Sequence, residues 1–97
     1  MNFNEYYKFY LSLHQNLWCR RLHVVGQLTT IFFIVSCIFG GIFWLLLLSP
    51  FIVYPFAWSG HYFFEKNKPA AFSNPIYAKL SDWLMFKDIL LGRLRIW

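Results

Sequence analysis

Charge is what this chain of 97 residues has least of. Charged side chains make up 13% of it and only four are acidic, against about 25% charged in an average soluble domain. From Val24 to Gly60 there is no Asp, Glu, Lys or Arg at all. Too few polar side chains remain to cover a soluble fold of this length, which buries only about 60% of its unfolded surface. Cysteine is scarce too. Cys19 and Cys37 have no metal-ligand spacing, and Cys37 lies in the most apolar run, so a disulfide framework has no support. No glycine-rich phosphate loop is present, and no Ser or Cys carries a local nucleophile signature. Repeats and low-complexity segments are missing, and no secretory signal is expected at the start.

Apolar and aromatic residues take the place of charge, at 59% and 24%. This composition excludes disorder and points to a membrane or obligate-assembly protein, with one domain spanning 1–97. The net charge of +5 comes from Arg20, Arg21, Lys66, Lys68, Lys79, Lys87, Arg93 and Arg95 among others. These flank apolar stretches rather than forming a polar face of their own. They suit phospholipid head groups, and nucleic acid is not an expected partner.

The uncharged run is too long for one membrane helix of about 20 residues and close to two short ones. Gly40-Gly41 divides it near the middle and suits a turn. The expected fold is all-α and integral to the membrane. A helical hairpin has transmembrane segments at about 20–39 and 42–58, with amphipathic or interfacial helices before and after it. Pro50 and Pro55 should kink the second segment or end it early. Arg20-Arg21 and Lys66/Lys68 place both hairpin ends and both termini on the cytoplasmic side, with Gly40-Gly41 at the far tip. Asn4 can cap a first helix starting at Glu5. Ser81 or Asp82 can cap a last helix reaching about Arg95, with an apolar arc of Trp83, Phe86, Ile89, Leu90 and Leu94. Asp82 and Arg93 interrupt that arc, and the helix is expected to lie on the membrane surface.

All three histidines stand at the charged edges of the hairpin. His14 and His23 precede it and His61 follows it, so the hairpin brings His23 and His61 to one membrane face. His61 and Glu65 form an i,i+4 pair. Three imidazoles and a carboxylate suit zinc or non-haem iron. Each histidine alone also fits as an interfacial side chain, and Glu65 as an ion-pair partner of Lys66 or Lys68. On one straight helix His14 and His23 would be about 900° of rotation and about 13.5 Å apart, on opposite sides. Sharing an ion therefore requires a break between them, expected around Gln15–Trp18. Cys19 is a further but weaker donor candidate.

The segment Tyr10–Gly26, with His14, Arg20, His23 and Gly26, resembles the first motif of the fungal-type 2-hydroxy fatty acid dioxygenases, which shorten phytosphingosine-derived acids by α-oxidation. The block Ala57-Trp58-Ser59-Gly60-His61-Tyr62-Phe63-Phe64-Glu65-Lys66-Asn67-Lys68-Pro69-Ala70 resembles the second, A-W-x-G-H-x-x-x-E-x-x-x-P-A, and Pro75, Asp82 and Met85 fit the tail. The resemblance implies an Fe(II)-dependent membrane oxygenase of the endoplasmic reticulum or bacterial inner membrane. Its implied metal ligands are His14, His23 and His61, with zinc as the alternative ion. Glu65 is implied as a ligand or a support, and Asp82 as an outer support. Fatty-acyl substrate and O₂ are then the reactants. Arg20 or Arg21 is expected to draw in the carboxylate, and the acyl tail to lie among Phe32, Phe33, Phe43 and Trp44. Two other readings remain: a small metal- or haem-binding membrane protein, and a structural protein forming a homo-oligomer through its aromatic surface.

Overall fold

Two asparagines set where the first helices begin. The computed structural model describes residues 2–69 and 74–96. Asn2 accepts a hydrogen bond from the Glu5 N–H at 2.9 Å and caps α1, Phe3–Ser12. The cap is therefore Asn2 rather than Asn4, and the helix starts before Glu5. Asn16 accepts from the Trp18 N–H at 2.8 Å and caps α2, Leu17–Phe39. Side-chain oxygens at these positions take up N–H groups that the first helical turn leaves unpaired. Between the end of α1 and Leu17 the chain turns over residues 13–16, so His14 stands on a link and not on a helix.

The helix α2 contains 23 residues, about 35 Å at 1.5 Å per residue. It runs beyond the expected start at Arg20 and ends at Gly40. Gly41 follows with φ +70°, a left-handed conformation that glycine takes without steric cost. The return segment is one helical path with three pitches. A 3-10 helix, Phe43–Phe51, leads into α3, Tyr54–Gly60, and a π turn, His61–Glu65. Nine residues is long for a 3-10 helix. Pro50 lies inside it and Pro55 at the start of α3, and neither has an N–H for an α-type ladder. The Ser49 hydroxyl takes the Leu46 carbonyl at 2.7 Å, the acceptor that an N–H at position 50 would use in an α-helix.

The two arms meet at glycines. A Cβ on Gly26 would come within 2.9 Å of Val53 Cγ2, and one on Gly60 within 3.1 Å of Cys19 Cα. The helices approach this closely only because both positions lack a side chain.

The last helix, α4, spans Pro75–Leu90 and is capped by Asn74, which accepts from the Tyr77 N–H at 3.1 Å. It thus begins well before Ser81 and ends before Arg95. Its buried face is Ala78, Ser81, Asp82, Met85, Phe86 and Ile89, the stripe that i, i+3, i+4 spacing produces. With Tyr6 and Tyr10 of α1, residues Ala78, Met85 and Ile89 form the core. α4 therefore packs across α1 and α2. Of the two residues that interrupt the apolar arc of its sequence, Asp82 faces inward, whereas Arg93 lies beyond the helix and is exposed. Among the described residues the fold is all-helical, with no strand. The segments Leu17–Phe39 and Phe43–Glu65 are both long and apolar enough to cross a membrane.

Candidate metal centre

Three imidazoles converge where the α1–α2 link, α2 and the π turn meet. Nε2 of His14 lies 3.2 Å from Nε2 of His23 and 3.0 Å from Nε2 of His61. All three rings are buried. Their other nitrogens decide what these short distances mean. His14 Nδ1 is 2.6 Å from the Tyr10 carbonyl oxygen, and His23 Nδ1 is 2.8 Å from that of Cys19. A carbonyl only accepts, so both Nδ1 atoms carry the proton. His61 Nδ1 is 2.6 Å from Oδ1 of Asn67, whose amide N–H donates to the Leu13 carbonyl at 3.1 Å. That second bond fixes the amide orientation, so Asn67 presents an acceptor and His61 Nδ1 is also the donor.

Every Nε2 is then a bare lone pair in the neutral ring. Three lone pairs pointing at one another in a buried site repel unless a cation stands between them. Protonating one ring would relieve the clash, but burial, with His23 and His61 alongside, holds His14 well below the usual histidine range. Two nitrogens on one ion at about 2.1 Å, at angles between about 90° and 109°, are about 3.0–3.4 Å apart. Both measured separations fall in that span. The donor set therefore fits a divalent metal ion held by three neutral nitrogens. Haem does not fit. Its axial ligands lie on opposite faces of a macrocycle, whereas these nitrogens nearly touch and the cavity beside them is about 10 Å³.

That cavity is lined by Tyr10, Tyr54, Ala57, Trp58 and Asp82 besides the histidines. It is large enough for one water-sized occupant beside the three nitrogens. The Tyr10 ring stacks on His14 at 3.9 Å between centroids, and its hydroxyl donates to the Asp82 carboxylate. One tyrosine thus holds His14 by its carbonyl and ring, and ties the site to α4. Burial pushes the Asp82 carboxyl up to about 6, against the Tyr10 bond and the nearby Lys79 ammonium.

Cys19 Sγ belongs to the same group, with all candidate donor atoms within 4.8 Å of one another. It lies 3.8 Å from Nδ1 of His23, the nitrogen that His14 does not share, and presses against Gly60. It therefore stands behind His23. Glu65 is not in the group. Its carboxylate accepts the Asn16 N–H, where an anion also favours the N-terminus of α2. That bond clips the π turn to the link carrying His14. Arg20 Nε donates to the His14 carbonyl at 2.7 Å and its Nη1 to the Arg95 carbonyl at 3.1 Å. Arg21 Nε donates to the Ile96 carbonyl. Neither arginine lines the histidine cavity.

The sequence pattern of the 2-hydroxy-palmitic acid dioxygenase Mpo1-like family matches residues 1–94. The chain belongs to that family. No curated protein and no solved structure matches it. The resemblance on Tyr10–Gly26 and on the block from Ala57 thus extends over nearly the whole chain. Within these family motifs His14, His23 and His61 make the cluster, while Gly26 and Gly60 permit the helix contact that assembles it. Ala70, the last residue of the second block, lies outside the described residues.

Sequence reasoning had no role for the Tyr10 carbonyl or the Asn67 amide. The first had a visible signal, since Tyr10 precedes His14 by one helical turn. Asn67 stands in the second motif at a position the pattern leaves open. Lys66, in the left-handed region at φ 56°, turns the chain back and carries Asn67 over His61.

Proposed function

We propose that the chain is a membrane-embedded, Fe(II)-dependent dioxygenase that shortens 2-hydroxy fatty acids by one carbon. The observation that carries this reading is the convergence of three bare Nε2 atoms in a buried cavity, within a chain of a family named for that activity. Nitrogen-rich sites with open positions suit iron oxygenases. When bound, Fe(II) would supply redox chemistry toward O₂ beside the 2-hydroxyl end of the substrate.

The protein's own residues do the rest. His14, His23 and His61 hold the ion. The carbonyls of Tyr10 and Cys19 and the amide of Asn67 fix which nitrogen each ring offers, as outer partners of metal sites do. Tyr54, Ala57 and Trp58 wall the cavity and exclude bulk water. Asp82 faces it as its one carboxylate, oriented by the Tyr10 hydroxyl.

The hairpin spans the membrane in this reading. Phe32, Phe39, Trp44 and Leu47 are exposed by 73%, 87%, 69% and 77%, far more apolar surface than a soluble monomer shows to water. Both ends, with Arg20, Arg21, Lys66 and Lys68, then face the cytoplasm. The site lies at that end, close to the interface where a fatty acid keeps its carboxylate.

Fe(II)-loaded protein in detergent, supplied with 2-hydroxyhexadecanoic acid and O₂, tests the reading. The expected product is the acid one carbon shorter, with oxygen consumed in step and both lost in His61→Ala. Loaded protein that consumes no oxygen with this substrate contradicts it.

A further inference from the structure

The middle of α2 carries two polar side chains that a lipid-facing helix has no use for, Gln27 and Thr30, and both are buried. Thr30 is satisfied by the Gly26 carbonyl at 2.8 Å. Gln27 is not: it is 1% exposed and its Nε2 has no hydrogen-bond partner. A buried amide left unpaired costs about 1–3 kcal/mol, and a polar group inside an apolar segment more often marks a site than an accident.

Gln27 lines a cavity of about 240 Å³ between α2, the 3-10 helix and α4. Lys79 is the charged group of that cavity, with Ile34 and Trp83 among its apolar walls. Its ammonium donates to the Pro50 carbonyl at 2.6 Å and lies 4.4 Å from the centre of the Tyr54 ring. An ammonium has three donors, and one is accounted for by Pro50. Tyr54 also lines the histidine cavity, as does Asp82, which acts electrostatically on Lys79. The two cavities are therefore neighbours, with Lys79 at their junction.

We propose that this second cavity binds the carboxylate of a long-chain fatty acid, with the Lys79 ammonium and the Gln27 amide N–H as donors. The choice of ligand rests on the dioxygenase reading above. At about 30 Å³ per water-sized group, the cavity takes the carboxylate and the first few methylenes beside Ile34 and Trp83. Charge supports an anion. A divalent ion on three neutral imidazoles, plus Lys79, leaves an excess of positive charge that the Asp82 carboxylate alone does not offset, and buried charge needs compensation. Arg20 and Arg21 line neither cavity. Phe32, Phe43 and Trp44, expected beside the acyl tail, point outward and are exposed.

Equilibrium binding of radiolabelled hexadecanoic acid and hexadecan-1-ol to the full chain in detergent tests this without calling on turnover. The acid should bind about tenfold more tightly than the alcohol, as charge-assisted hydrogen bonds imply. Lys79→Met should erase that preference, Lys79→Arg should keep most of it, and Gln27→Leu should weaken the acid severalfold, all with unchanged metal content. Equal binding of acid and alcohol to the unaltered protein overturns the proposal. So does an acid preference that survives Lys79→Met. If Lys79→Met does not fold, Gln27→Leu and the acid–alcohol comparison decide alone. A Lys79-dependent acid preference without oxygen-dependent turnover keeps the binding site and removes the dioxygenase reading. Turnover with an unchanged KM in Lys79→Met does the reverse.

Discussion

Each imidazole of the cluster is told which nitrogen to protonate by an oxygen behind it, and that is where single residues have most leverage. Asn67 is the clearest case, because one side chain both accepts from His61 and donates to the Leu13 carbonyl. Asn67→Leu should leave the three histidines in place and lower metal affinity about 10–100-fold, the usual effect of losing an outer partner. Competition with a chelator of known affinity measures it, and unaltered affinity would show that His61 needs no such support. Asp82 acts in the opposite sense on stability. Its folded value of about 6 lies above the ordinary 3.8, so the metal-free fold disfavours its charged form. The difference corresponds to about 3 kcal/mol, at about 1.36 kcal/mol for each tenfold change in proton affinity. That penalty is absent below about pH 4, grows between pH 4 and 6, and is complete above. Metal-free Asp82→Asn should accordingly unfold at a higher temperature than the parent at pH 8, with the advantage shrinking toward pH 4. No difference at pH 8 would mean the carboxylate is better solvated than its burial implies. Of these residues the histidines were legible in the sequence because imidazoles are rare and stood at the edges of an uncharged run. Asn67 was not, because its position depends on one left-handed residue, Lys66, that no periodicity reveals.

At the scale of elements, the break after α1 and the glycine contact between α2 and α3 assemble the site. A break between His14 and His23 could be argued from helical geometry alone, since an unbroken helix separates them. The end of α1 at Ser12 and the cap at Asn16 then place it at residues 13–16, a little before the expected Gln15–Trp18. The run of α4 was harder to see. Its inward face mixes Ala78, Ser81 and Asp82 with Met85, Phe86 and Ile89, so the apolar arc drawn on the wheel shares Phe86 and Ile89 with it while its Trp83 and Leu90 are exposed. The polar members of that face serve the cavity, and a binary pattern cannot tell a site from a solvated surface. Gly60→Ala tests the contact. The new Cβ would lie 3.0 Å from Cys19 Sγ and 3.1 Å from Cys19 Cα, and backbone cannot swing aside. A loss of about 1–3 kcal/mol is expected, as for other overpacked positions, together with weaker metal binding, because His61 follows directly and His23 lies one turn beyond Cys19. Unchanged melting and unchanged metal content in Gly60→Ala would show that the arms are not in contact there.

For the whole molecule, the hairpin places the histidine cluster at one end and the glycine turn at Gly41 at the other. Cysteine placed at Ile42, beside the tip, should react with a membrane-impermeant maleimide only from the non-cytoplasmic side in a Cys19→Ser, Cys37→Ser background. Labelling from the cytoplasmic side alone would reverse the topology. The central claim, however, is that three neutral imidazoles hold one divalent ion, and elemental analysis of anaerobically Fe(II)-loaded, desalted protein tests it most directly. One ion per chain is predicted for the parent, with most of it lost in each of His14→Ala, His23→Ala and His61→Ala although all remain folded. A parent protein that retains no metal, or folded histidine variants that retain as much as the parent, would contradict it.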